Sequence, residues 1–441
     1  MSAPDEPARA QLLAIFREAL AAVDGAGAVR GALRREAGRL FLAGEVLPTD
    51  GRLRLLALGK AAGPMAAAFE AIAGEALVDG LAVTKHGHGV ALSRVRLIEA
   101  AHPVPDASCV AAAAQVLRML EAALPDDVVC VLLSGGTSSL LASPLPGVTT
   151  EELARTTQLL LEAGADIAQT NAVRRRLTVA SGGRLARHCA ARRIEVLVLS
   201  DVPGDTLEVI GSGPFTAAPT DTGDARAALC ELGLLDAVPA SVRARCDASQ
   251  AGAVGVPVGD PALRGVRHRI VGSNRVALEA ARGAAVRMGL DVRLLSPPLA
   301  GEARDAGALL ARLALRARPP RPLLLLAGGE THVSVRGSGR GGRNQELALA
   351  AALALEGRGH VTLLAAGTDG SDGPTQAAGA FADGASVARG AAAGVDARAA
   401  LADNDSHAFF AAEGGLLRTG PTGTNVMDLA LVHVRSSSDR S

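Results

Sequence analysis

At 441 residues the chain is too long for one compact core, so two domains are expected. Hydrophobic residues make up 49% of it, and 45 Lys plus Arg balance 45 Asp plus Glu, which argues against a disordered chain and against a broad nucleic-acid surface. With no Trp or Tyr and seven Phe, platforms for stacking bases are scarce as well. The N-terminus, MSAPDEPARAQLLAIFREALAAV, is acidic before it turns amphipathic, so it lacks the basic start of a signal peptide. No apolar run reaches membrane-spanning length. Five widely spaced cysteines contain no C-x-x-C pair, and Cys130 sits inside the apolar run VVCVLL. A soluble, reduced cytoplasmic protein with no membrane or nucleic-acid partner is expected.

The spacing of apolar runs predicts strands at 53–58, 81–84, 128–133, 194–199, 323–327 and 361–366. Each ends in Gly, Ser or Asp before a helical pattern, the signature of βαβ units around a parallel sheet. Ligands of such sheets gather beyond the carboxyl ends of the strands. The loops GKAAG, SGGTSS, SDVPGD, GSNR, GGET and GTDG are therefore the places to look. Residues 216–268 show little periodicity and read as a connecting region, with a domain boundary near 260 to 320. The last residues, 436–441, read as a disordered tail.

Lys60 in LALGKAAG follows a strand at the mouth of a helix, where free N–H groups and a lysine together suit an anion. A cation there opposes the helix dipole, which favours a functional reading over a solvated one. In VLLSGGTSSLL, Gly135 and Gly136 let the backbone curl between Ser134 and the hydroxyls of Thr137 and Ser138. That set suits phosphate or carboxylate oxygens. TNAVRRRLT supplies three arginines, of which one or two can face one ligand; Arg174 is the candidate. Asp201 ends a strand in LVLSDVPGD, a position suited to Mg²⁺. GSNR and GGET supply Asn274 and Glu330. The nine histidines form no metal pattern.

GSGRGGRNQE (337–346) satisfies G-x-G-x-x-G between a strand-like THVSVR and a helix-like QELALAAALAL. A dinucleotide site also needs an acid at the end of the next strand, roughly 20 residues on. Glu356 has the distance but not the place, and Asp369 has the place but comes late. Arg340 and Arg343, beside Asn344, suit the concentrated charge of a triphosphate instead. Asp369, in AAGTDGSDGP, is placed for catalysis or metal binding.

ALGKAA, HPVPDA, LLSGGTSSLL, SDVPGD, GSGP, GSN, GGET, GRGGRNQELALA, AAGTDGSDGP, DNDS and TGPTGTNVMDL fall in order over roughly residues 10 to 434. In this the chain resembles the class II glycerate kinases, also called glycerate 2-kinases, whose C-terminal part is the MOFRL domain. The resemblance implies an α/β protein of two domains. They are a Rossmann-like parallel-sheet domain over 1–265 and a smaller α/β domain over 266–435 that includes the MOFRL region at about 320–434. It places the active site in the cleft between them. It also implies transfer of the γ-phosphoryl group of ATP to D-glycerate with Mg²⁺ or another divalent cation, giving 2-phosphoglycerate and ADP. Lys60, Arg343 and Asp369 match the family's active-site residues, while Ser181 stands where a lysine is usual. Which loop holds ATP and which holds glycerate stays open, and a homodimer is compatible with the sequence. An NAD(P)-dependent hydroxypyruvate reductase and a non-catalytic sugar-acid binding protein are the competing readings.

Overall fold

A computed structural model describes residues 5–48, 51–218, 224–247 and 255–438. The chain divides into two compact units, Gly25–Val271, and Met1–Asp24 together with Gly272–Ser441. This differs from the expected division at 265 in two ways. The first helix, Glu6–Ala22, belongs to the C-terminal unit, and the strand 266–272 belongs to the first sheet.

The unit Gly25–Val271 opens with a small antiparallel sheet of β1 (Leu33–Glu36), β2 (Arg39–Leu42) and β3 (Glu45–Val46). Its main sheet has the order β6-β5-β4-β7-β8-β9. These are β4 (Leu53–Leu58), β5 (Leu77–Lys85), β6 (Arg96–Ala100), β7 (Val128–Leu133), β8 (Arg193–Leu199) and β9 (Val266–Gly272). From β6 to β8 every pairing is parallel. A central parallel strand is covered on both faces, so it reads as a continuous apolar run. VVCVLL in β7 does so, and LRLLAL in β4 is broken only by Arg54, which is paired with Asp127; every residue of both strands is buried. Helices 150–162, 167–177, 225–231 and 240–246 enclose a satellite core around Leu153, Leu160, Val173, Leu229 and Val242.

The other unit carries a sheet of order β10-β11-β15-β12-β13-β14. Its strands are β10 (Asp291–Leu294), β11 (Leu323–Gly329), β12 (Val361–Gly367), β13 (Gly379–Asp383), β14 (Leu416–Leu417) and β15 (Asp428–Val434). The β11–helix–β12 segment keeps the expected βαβ direction, but β15 lies between its strands, antiparallel to both. THVSVR is not a strand: only His332 bridges, to Glu302. The predicted tail is tied down where it is described, since Ser437 donates from N and Oγ to the Pro319 carbonyl. Residues 439–441 of that tail lie outside the described residues. Among the described residues no helix is long and apolar enough to cross a membrane.

Candidate functional site

Five adjacent parallel strands of the first sheet, β6, β5, β4, β7 and β8, deliver chemistry at their carboxyl ends. In that order the groups are His102, Lys85, Lys60, the Gly135–Gly136 turn and Asp201. The turn and the Lys60 loop are stitched together, Lys60 N donating to Gly135 O at 2.9 Å. Ser134 completes the stitch: its Oγ donates to Leu58 O and accepts from Ala61 N, both at 3.1 Å. Ser134 is thus a buried fastener rather than a ligand contact. Thr137 likewise turns inward, its hydroxyl donating to Ser134 O at 2.8 Å. The helix expected to begin there is one turn, Thr137–Leu140.

Gly136 is left-handed at φ 89°, and a Cβ built on it would lie 3.2 Å from His102 Cδ2 and Nε2 and 3.3 Å from Lys60 Cγ. The turn, the imidazole and the lysine stem are therefore in contact range of one spot. Arg174 arrives from the helix Ile167–Leu177, donating to Ser138 Oγ at 3.2 Å and Ser139 Oγ at 3.4 Å. Burial lowers the pKa of its guanidinium to about 10. Burial, then the charges of Lys60, Lys85 and Arg174, with His88 adding, hold His102 down at about 3. Burial raises the Asp201 carboxyl above its usual range, while Lys60 pulls it the other way. Three cations and a neutral imidazole around one carboxylate make this edge electropositive, and electropositive pockets collect anions. Neither His102 nor Lys85 was named from the sequence. HPVPDA and VTKHGH signalled them only by lying at strand ends.

The second sheet presents another edge, where β15 starts between the ends of β11 and β12. Arg343 forks onto Asp428, Nε to Oδ2 at 2.5 Å and Nη2 to Oδ1 at 3.0 Å, and reaches Glu330 Oε1 at 2.7 Å with Nη1. Burial alone would lower its pKa, but Asp428, Glu330 and Asp372 raise it. The fork expected to grip phosphate is made to a carboxylate that sequence reasoning missed. Met427, just before it, sits in the left-handed region at φ 68°. Asn274 is buried and its amide donates to Val426 O at 2.9 Å and Asp428 O at 3.0 Å, so it holds β15 in place. Asp369 accepts from Ser371 N at 2.9 Å and Ser371 Oγ at 3.0 Å. Across Gly367 it neighbours Asp428: a Cβ there would lie 3.5 Å from Asp369 Oδ1 and 3.4 Å from Asp428 Oδ1.

The glycine-rich loop is occupied by protein. Arg336 N and Gly337 N donate to Asn404 Oδ1 at 2.7 and 3.1 Å, and Ser338 N to Asp403 Oδ1 at 2.9 Å. Gly339 N donates to Asp403 O and Arg340 N to Asp405 Oδ1, each at 3.0 Å. A Cβ on Gly339 would stand 2.4 Å from Asp405 Cβ, so the glycines permit close packing against the DNDS turn. The Arg340 side chain is exposed and donates to Pro374 O at 3.1 Å. The helix Arg343–Leu355 begins on a carboxylate of its own: Asn344 N and Gln345 N donate to Asp372 at 3.0 and 2.8 Å. Asn344 is buried there, with Nδ2 on the same Asp372. The amides from Arg336 to Arg340 are thus already paired with protein acceptors.

Among the described residues no three His, Cys, Asp or Glu side chains group to hold a metal. Asp201 is the carboxylate that this edge offers to a cation, and Mg²⁺ commonly takes one or two protein carboxylates and further ligands from substrate phosphates.

Two family models match the chain, a domain of unknown function (DUF4147) over residues 11–247 and the MOFRL family over residues 323–428. A glycerate 2-kinase of Pyrococcus horikoshii is 38% identical, over 97% of this chain and 98% of that protein. A protein of Agrobacterium vitis, provisionally named a hydroxypyruvate reductase, is 39% identical over 87% of each chain. The crystal structure of a glycerate kinase from Thermotoga maritima superposes with a TM-score of 0.81 at 36% identity, covering 97% of this chain and 100% of that one.

Proposed function

The chain belongs to the class II glycerate kinase family with its MOFRL domain, and from that premise we propose that it transfers the γ-phosphoryl group of ATP to D-glycerate, giving 2-phosphoglycerate and ADP. The observation that carries the reading is the clustering of cations at this edge: Lys60 beside Gly136 and His102, Arg174 on the Ser138 and Ser139 hydroxyls of the same turn, and Lys85 at the neighbouring strand end. A carboxylate substrate needs such neutralisation before a polyanionic nucleotide can approach it, and phosphoryl transfer asks of a protein mainly positioning and charge compensation. We assign glycerate to this edge.

Asp201 is the group we assign to Mg²⁺ carried by the nucleotide. Mg²⁺ held there would neutralise charge on the nucleotide's phosphates. Asp369 is assigned to orient the attacking hydroxyl. Arg343 keeps its fork on Asp428, and its Glu330 arm is the exchangeable one, because the Glu330 side chain is 44% exposed whereas that of Asp428 is 4% exposed. An incoming phosphoryl oxygen can replace Glu330 without disturbing the fork. The five cysteines are all free thiols, which suits a reducing cytoplasm.

A reductase reading would draw on the glycine-rich loop, whose amides already serve Asp403, Asn404 and Asp405. The test is a coupled assay with Mg-ATP and D-glycerate, with enolase added to identify the 2-phospho product. Oxidation of reduced nicotinamide with hydroxypyruvate, and no ATP-dependent product, would overturn the proposal.

A further inference from the structure

His102 is the group at the first edge that the proposed mechanism does not use. It is half-buried, and Nε2 and Cδ2 approach the Gly136 Cβ position to 3.2 Å, beside the Lys60 stem. The charged and titratable groups acting on it come from each neighbouring element: Lys60 after β4, Lys85 at the end of β5, His88 in the loop beyond, and Arg174 from the helix Ile167–Leu177. The three strong ones are cations, which can only donate hydrogen bonds. A neutral imidazole is different, since one ring nitrogen donates and the other accepts.

We propose that His102 recognises a hydroxyl of the substrate acid whose carboxylate is held by Lys60, Lys85 and Arg174, and so makes this pocket selective for a hydroxy acid over a plain carboxylate. The inference rests on the assignment of glycerate to this edge. A hydroxyl must place its proton somewhere, and lysine and arginine cannot take it. The imidazole can accept it beside the cations without adding a buried negative charge. Its neutrality follows from the same surroundings: burial and three cations keep it uncharged well below neutral pH. A site built to pair a hydroxyl discriminates against ligands lacking it, because its own polar group is left unpaired.

The test compares binding of D-glycerate with propionate, which keeps the three-carbon carboxylate and has no hydroxyls, by calorimetry and competition. In His102→Leu, D-glycerate affinity should fall about tenfold, the size of one lost hydrogen bond, while propionate affinity stays unchanged. His102→Gln, which keeps a neutral donor and acceptor, should recover most of the difference. In the native protein the glycerate-to-propionate ratio should stay flat from pH 5.5 to 8, a measurement that needs no variant to fold. Equal weakening of both ligands, an unchanged ratio, or an inflection near pH 6.5 would overturn the proposal. A loss confined to ATP binding would overturn it too, by placing the nucleotide here. If the ratio behaves as expected but no phosphoryl transfer to D-glycerate occurs, the kinase reading fails while the role of His102 stands.

Discussion

Arg343 shows how a single side chain can be held in readiness by its own protein. Its fork to Asp428 is a charge-assisted bidentate contact that lysine cannot reproduce. Arg343→Lys should therefore lower kcat about 100-fold, and Asp428→Asn should do so by a similar order. Near-native kcat in both variants would make the pair purely structural. Asp127 illustrates a residue that serves stability alone. Burial by itself would raise its pKa, but the Leu124 amide and the guanidiniums of Arg52 and Arg54 hold it at about 2. Its folded value is thus below the ordinary 3.8, so its contribution is fully present above pH 3.8 and is lost as pH falls toward 2. Asp127→Asn should cost about 3 kcal/mol near neutral pH by leaving Arg54 buried with a weakened partner. In urea unfolding, the gap between native protein and variant should shrink as the solution is acidified through that window. A gap that widens in acid would contradict the assignment.

At the scale of elements, the helix Arg343–Leu355 is stabilised at its start by a carboxylate 28 residues beyond Asn344 in the chain. Asp372 accepts from Asn344 N and Gln345 N, and the Gln345 side chain donates to it at 3.0 Å. Replacing a capping carboxylate usually costs about 1–2 kcal/mol, and here it also takes an acceptor from the buried Asn344 side-chain amide. Asp372→Ala should therefore lose somewhat more than that in urea unfolding. If an added phosphate ion restored the loss by binding the vacated helix end, the segment would retain its ability to hold an anion. No change in stability would mean that the cap is dispensable.

At the scale of the molecule, the first helix belongs to the unit formed by the end of the chain. Leu12, Ile15 and Phe16 are fully buried, and Arg9 donates to Asp383 at 3.0 Å inside the Arg389–Glu413 ion network. Burying such apolar side chains stabilises by about 2 kcal/mol each. A protein lacking residues 1–24 should accordingly lose the C-terminal unit's cooperative unfolding transition, while the Gly25–Val271 unit keeps its own. Calorimetry of the truncated chain would check this. Two undisturbed transitions would show that the helix only decorates the surface.

The chain itself specifies its strands, because the residues that decide them are neighbours. VVCVLL is apolar without interruption and LRLLAL is interrupted only by Arg54, and a run buried on both faces can be read from its own letters. The six loops at strand ends were legible for the same reason, with Lys60 and Asp201 in two of them, whereas Arg174 lies on the helix Ile167–Leu177. What fills a polar group was not legible, because its partner comes from elsewhere. Glycine-rich amides look the same whether a phosphate or Asp403 satisfies them, and the latter lies 65 residues beyond Ser338. The acceptor for Arg343 lies 85 residues away, on a strand inserted between two others. The charges around His102 come from three further stretches of chain, and burial together with those cations keeps its ring neutral. Backbone conformation follows from local sterics and hydrophobic period. The pairing of charges and hydrogen bonds follows from which distant groups the fold brings within about 3 Å.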